Sequence, residues 1–249
     1  MALGCAYSVL GGTGLPPDTI FYLGNNTVNT PVYVYYGKQK GPVMVLDGGI
    51  HGDEVAAQYA CDSIVENISV QKGTLYIIPR VNLPACHDTV RFLNKDLNRT
   101  FPGDTCWVDY EYTLSYQFMQ LIDSLKPDLV INLHEARSHT RTMTPKNKDD
   151  KAFGNTLIYV GDTKSSLLTG VQNEVNRYLS DPDEKFKLHD FPFMAAGSLD
   201  NMYYRFGIKS FTVETWRGYD LPFRVCMQTV ISLEFMRQLG IGFTINGQH

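Results

Sequence analysis

Val43-Met44-Val45-Leu46-Asp47-Gly48-Gly49-Ile50-His51-Gly52-Asp53-Glu54 is the stretch on which the fold reading turns. The apolar run Val43 to Leu46 reads as a strand buried on both faces, as in a parallel sheet. Such strands deliver functional residues at their C-terminal ends. His51 then falls in the turn leaving the strand, and Glu54 in the first turn of the helix that follows. An imidazole and a carboxylate three residues apart suit a borderline-soft cation such as zinc, and a catalytic zinc site takes three protein ligands plus water.

The third ligand has to come from elsewhere. In Asp128-Leu129-Val130-Ile131-Asn132-Leu133-His134-Glu135 a second apolar run ends in a histidine, so His134 is the best candidate. Two strand ends would then meet at one edge of a sheet. The plain alternatives are a backbone-bonded turn histidine for His51, a helix-dipole partner for Glu54 and a core histidine for His134.

A chain of 249 residues with 43% hydrophobic and 19% charged content is long enough for one sizeable core. We therefore expect one domain over 1–249. A net charge of -4 and a pI near 5.8 supply no basic field for nucleic acid. No apolar run nears the ~20 residues that span a bilayer, so no membrane partner is expected. The opening Met1-Ala2-Leu3-Gly4-Cys5 lacks a basic stretch followed by a long apolar one. The compartment is thus open: cytoplasmic by default, extracytoplasmic if a leader has been removed. Cys5, Cys61, Cys86, Cys106 and Cys226 are scattered and odd in number, which argues for reduced thiols over a disulfide framework or thiolate metal site.

Strands are expected at 32–36, 43–48, 74–81, 129–133, 157–160 and 210–213, and helices at 55–67, 110–125, 167–179 and 225–239, the last closed by Gly240. Asn82-Leu83-Pro84 reads as a loop, and the polar segment 137–154 as a solvated loop or a rim of the site. Alternating strands and helices imply an α/β fold: one domain with a mixed, mainly parallel, twisted sheet and helices on both faces.

Five motifs in order resemble the zinc carboxypeptidases together with the succinylglutamate desuccinylase and aspartoacylase branch. They are His51-Gly52-Asp53-Glu54; Asn82-Leu83-Pro84; Arg91 followed by Asp96-Leu97-Asn98-Arg99-Thr100-Phe101-Pro102-Gly103; Asn132-Leu133-His134; and Gly207 through Glu214. The resemblance implies one zinc per chain on His51, Glu54 and His134. It implies Glu214 as general acid–base, Arg91 as oxyanion stabiliser, and Asn98 and Arg99 as the holders of a substrate carboxylate. Asp96 would orient His51 from behind, and Leu199 would lie near the bottom of a side-chain pocket. The implied substrate is a small peptide or related amide with a free carboxylate on its amine side. The alternative is an N-acyl amino acid. Less favoured is an inactive metal-binding module, whose signature, a lost ligand or lost Glu214, is absent.

Two departures bear on that choice. Carboxypeptidases carry a tyrosine shortly before the stretch that here is Gly197-Ser198-Leu199-Asp200, where this chain has Phe191-Pro192-Phe193-Met194. Tyr203, Tyr204 or Tyr219 would have to replace it, or the group is lost. The short gap from Arg91 to Asn98-Arg99 looks like the deacylase branch, yet only residues 215–249 follow Glu214, short of that branch's extra β-rich domain. Other hydrolase chemistries find no support. His134-Glu135 with His139 is one residue too long for a zincin helix, no Gly-x-Ser-x-Gly elbow exists, and Gly11-Gly12-Thr13-Gly14 is neither a P-loop nor a dinucleotide fingerprint.

Overall fold

The alternation of apolar side chains along the central strands sorts them onto two cores, one on each face of a single sheet. The structure is a computed structural model and describes residues 15–25, 28–140, 153–191 and 195–246. Gly11 to Gly14, most of the polar 137–154 segment and Pro192 to Met194 lie outside the described residues.

The strands are β1 (Thr19–Asn25), β2 (Val28–Tyr36), β3 (Gln39–Asp47), β4 (Ile68–Ile78), β5 (Leu129–Ala136), β6 (Thr156–Tyr159), β7 (Lys187–Asp190), β8 (Ser210–Trp216) and β9 (Gly242–Ile245). Among the described residues they form one sheet in the order β1-β2-β4-β3-β5-β8-β6-β7, with β9 on β4. The mixed sheet expected from the sequence is parallel at its centre, β4-β3-β5-β8, and antiparallel where β2, β9 and β6 join that centre.

Helices α1 (Val55–Asn67), α2 (Leu83–His87), α3 (Tyr110–Leu125), α4 (Ser166–Tyr178), α5 (Leu199–Arg205) and α6 (Leu221–Leu239) complete the layers. On one face Met44, Leu46, Ile131 and Phe211 pack against α1, α4 and α6 through Ala60, Val171 and Ile231. On the other Val45, Ile78 and Val130 pack against α3 and α5 through Phe118 and Met202. Neighbours on a strand point to opposite faces, so a strand buried on both must be apolar throughout, as the run Val43–Leu46 is.

Local chemistry sets the helix ends. Asp220 accepts from the Phe223 N–H, Pro222 sits in the first turn, and Gly240 at φ 92° closes α6 in the left-handed conformation. α3 stops at Lys126, also left-handed, because Pro127 cannot continue it. Asn82 caps α2, so the Asn-Leu-Pro stretch expected as a loop opens a short helix. Cys61 and Cys86 are buried free thiols and Cys106 is exposed and free. Cys226 is disulfide-bonded, which corrects the expectation of reduced thiols throughout. No helix of the described residues is long and apolar enough to cross a membrane.

Candidate metal centre

The C-terminal ends of β3, β5 and β8 meet at one edge of the sheet. β3 ends at Asp47, and the chain turns through Gly48 to Glu54 before α1. That turn is held from below: Gly48 N–H donates to Ile78 O, and Val81 and Asn82 N–H donate back to Gly48 and Gly49 O. Gly52 lies so close to α2 that a Cβ there would meet Ala85 O at 2.0 Å. Gly52→Ala should therefore push His51 and Glu54 apart, and a metal ion held between them should bind about 10-fold or more weakly, the scale of disturbed ligand support. Titration against a chromophoric chelator measures it, and an unchanged affinity would contradict the packing.

β5 runs to Ala136 and β8 to Trp216, so His134 and Glu214 are strand residues and not the residues just after a strand. They are directly paired across the β5–β8 register. His51, Glu54 and His134 are all buried, and their ligand atoms lie within 4.8 Å of one another. His51 Nδ1 is 2.8 Å from Glu54 Oε1, and His134 Nδ1 is 2.6 Å from Glu54 Oε2. Two imidazole Nδ1 atoms thus converge on one carboxylate. This donor set fits a catalytic zinc, with three protein ligands of the right chemistry. The other face of His51 is held by Asp96, 3.1 Å from Nε2, the kind of outer contact that fixes a ligand's tautomer.

Burial works against ionising Glu54, but the charges and hydrogen bonds of His51 and His134 overcome it and hold its carboxyl well below the usual range. Burial also opposes ionisation of Asp96, where the His51 hydrogen bond and charge, Arg91 and Arg99 win and lower it. Glu214 goes the other way: burial, Glu54 and Asp200 push it well above the ordinary carboxylate range against the pull of Arg217 and Arg91. Its Oε2 is shielded and without a hydrogen-bond partner. A carboxyl so placed is suited to taking and returning a proton.

The loop from Arg91 to Arg99 covers the centre. Arg91 pairs with Asp96 at 3.3 Å and lies 3.6 Å from Glu54. Glu111, fully buried at the start of α3, pins this loop by accepting the Asn94 and Lys95 N–H groups at 3.0 and 3.1 Å. Sequence reasoning missed Glu111, because nothing marks a first-turn glutamate as an anchor for a remote loop. Asn98 spends its Oδ1 on the Leu199 N–H at 2.8 Å, leaving its amide nitrogen for other partners. Arg99 is exposed, turns one nitrogen onto the Asn98 carbonyl, and has no ion pair among the described residues.

Leu199 is fully buried among the α3 and α5 core residues, and it reaches the centre through its backbone N–H. Tyr203 is likewise buried in that core, whereas Tyr204 is exposed and the Tyr219 hydroxyl lies at Asp183 O and Asn155. The Cys86 thiol is pushed up to about 12 by burial and contacts Gly49 O, while His87 is exposed and pairs with Asp88, so these two form no dyad. A cavity of about 470 Å³ lies between α1 and α6, and none of its lining residues belongs to the centre. A second group missed in the sequence is Arg217, 2.8 Å from Asp53 and 3.5 Å from Glu54.

The edge of a mixed α/β sheet thus carries a His-Glu-His group able to hold a metal ion. The chain belongs to the succinylglutamate desuccinylase/aspartoacylase family, whose catalytic-domain model matches residues 40–215. The N-alpha-acetyl-L-2,4-diaminobutyric acid deacetylase of Halomonas elongata is 33% identical over 100 residues, covering 38% of this chain and 29% of that protein. Among solved structures, product-bound cell shape determinant Csd4 from Helicobacter pylori matches with a TM-score of 0.79 at 21% identity, over 88% of this chain and 57% of that one. A succinylglutamate desuccinylase/aspartoacylase from Rhodobacter sphaeroides matches with a TM-score of 0.63 at 21% identity, over 90% of this chain and 63% of that one. The chain thus spans less than two thirds of each of these relatives.

Proposed function

We propose that this chain is a zinc-dependent hydrolase of an amide whose amine half bears a free carboxylate. The observation that carries the reading is the convergence of His51 Nδ1, His134 Nδ1 and the Glu54 carboxylate beside Glu214, which is paired in register with His134. When bound, zinc supplies Lewis acidity that lowers the pKa of water and polarises a carbonyl. The chain's own residues do the rest. Glu214 accepts the proton of the attacking water and delivers it to the departing amine, so the proton is conserved across the step. Arg91 presents positive charge, already oriented by Asp96, toward the developing oxyanion. Arg99, exposed at the rim, offers a guanidinium fork to the substrate carboxylate.

For the acyl side, the reading favoured here is a short peptide, as in a carboxypeptidase. It is supported by the likeness to Csd4, described as a D,L-carboxypeptidase in its mDAP-bound structure. A second reading, a small N-acyl amino acid, is supported by the family match and by the deacetylase relative. A panel of short peptides and N-acetyl and N-succinyl amino acids, each with free and amidated carboxyl ends, separates the two. Turnover of peptides with free ends supports the first reading, and cleavage of N-acyl amino acids alone moves the assignment to the second. Equal turnover of free and amidated ends would remove the Arg99 role. Arg99→Lys should raise KM more than it lowers kcat, because an ammonium cannot reproduce the bidentate fork. A pure kcat loss would place Arg99 in transition-state stabilisation instead.

A further inference from the structure

Arg217 has no part in the reaction just described, yet it is the most heavily engaged cation near the centre. It follows directly on β8, and its backbone N–H donates to Ala136 O at 2.9 Å, so the β5–β8 pairing fixes its place. From there the side chain crosses to the β3–α1 turn. Nη1 donates to Asp53 Oδ2 at 2.8 Å, Nε donates to Glu135 O at 3.3 Å, and Nη2 lies 3.5 Å from Glu54 Oε1. Nη2 is shielded and makes no hydrogen bond, and the Glu54 carboxylate lies beside it. Both partners of the Arg217–Asp53 pair are mostly buried, with side-chain exposures of 20% and 16%. Arg137 also reaches Asp53, at 3.3 Å, but is 73% exposed, and an exposed partner contributes little.

One guanidinium therefore joins the turn that carries His51 and Glu54 to the two strands that carry His134 and Glu214. On the β5 side the Glu135 N–H also donates to Glu54 Oε2 at 3.1 Å and Arg137 reaches Asp53; Arg217 adds the link from the end of β8. Glu54 precedes α1 without capping it through its side chain, so the helix end does not hold the carboxylate in place. The arrangement mirrors the other flank, where Arg91 and Asp96 brace His51. Substrate binding is a poorer role for Arg217, because Asp53 and Glu54 already compensate its charge.

We propose that Arg217 is a positioning residue for the metal centre: together with Asp53 it locks the β3–α1 turn onto β5 and β8 and holds Glu54 in its ligating orientation. The inference rests on the reading of His51, Glu54 and His134 as a zinc site. Outer partners of ligand residues typically set 10- to 100-fold in metal affinity, and Arg217→Met and Asp53→Asn should each weaken zinc by about that factor. Because the two act as a unit, the double variant should be within about threefold of the weaker single. Arg217→Lys should fall between wild type and Arg217→Met, since an ammonium reaches Asp53 but cannot span Glu54 and the Glu135 carbonyl as well.

The test is competition for zinc with a chromophoric chelator on the full chain, with thermal unfolding of the metal-free proteins alongside. A merely structural role would lower the unfolding temperature and leave the zinc affinity of folded protein unchanged. Arg217→Met within about threefold of wild type, or losses that multiply in the double variant, would overturn the proposal. If Arg217→Met fails to fold, Asp53→Asn and Arg217→Lys carry the same comparison. Wild type that takes up no zinc would sink the parent reading and this inference with it. Wild type that binds zinc, with variants that bind it equally well, would sink this inference alone.

Discussion

Glu214→Gln should retain zinc and lose at least ~10²-fold in kcat/KM, the scale of a general-base contribution. That corresponds to roughly 2.7 kcal/mol of transition-state stabilisation. Gln is nearly isosteric, and Glu214 lies outside the His51–Glu54–His134 cluster, so the metal centre should survive the change. What is lost is the proton acceptor. The position suits that role because Oε2 is shielded and unpartnered, and because burial, Glu54 and Asp200 raise the affinity of this carboxyl for a proton. A bound dication opposes that shift, so zinc loading should lower the Glu214 pKa relative to the metal-free protein. The base acts as its carboxylate, and activity should therefore fall as pH drops through that pKa. Rates measured alongside zinc content decide the matter. Full turnover in a zinc-replete Glu214→Gln protein would remove Glu214 from the mechanism.

His51→Ala should abolish both stoichiometric zinc and activity. It removes one of the three side chains able to hold a metal and leaves Glu54 and Asp96 each without the imidazole between them. The loss should survive reconstitution with excess zinc followed by mild dialysis. Acid should mimic it in the wild-type protein. Burial disfavours a charged His51, but the Glu54 charge and the hydrogen bonds to Asp96 and Glu54 outweigh it and raise its pKa. Zinc must displace that proton, so affinity should weaken progressively as pH falls. A His51→Ala protein that keeps a full equivalent of zinc would contradict the ligand assignment.

Periodicity read the fold best where amphipathic pattern and stop signals agree. The expected helices 55–67 and 110–125 coincide with α1 and α3. Strand ends were harder. β5 and β8 each run three residues past their apolar stretches, because His134 and Glu214 stay in the ladder although their side chains serve the centre. The outer strand β1 and the short strands β7 and β9 were not read at all; nearly all their side chains are exposed or half-buried and leave no strong apolar period. The cluster of His51, Glu54 and His134 was legible because each residue follows or ends an apolar run. Arg217 and Glu111 were not, since their roles come from tertiary contacts with Asp53 and with the Asn94–Lys95 backbone. Asn98 was read for its side chain alone, and the structure adds that half of that amide is committed to the Leu199 N–H.

The most direct test of the account is anomalous diffraction at the zinc absorption edge from crystals grown with one equivalent of zinc. The account predicts a single strong peak bounded by His51 Nδ1, His134 Nδ1 and the Glu54 carboxylate, absent in His51→Ala crystals. No peak at that position, or a stronger one elsewhere on the chain, would contradict it.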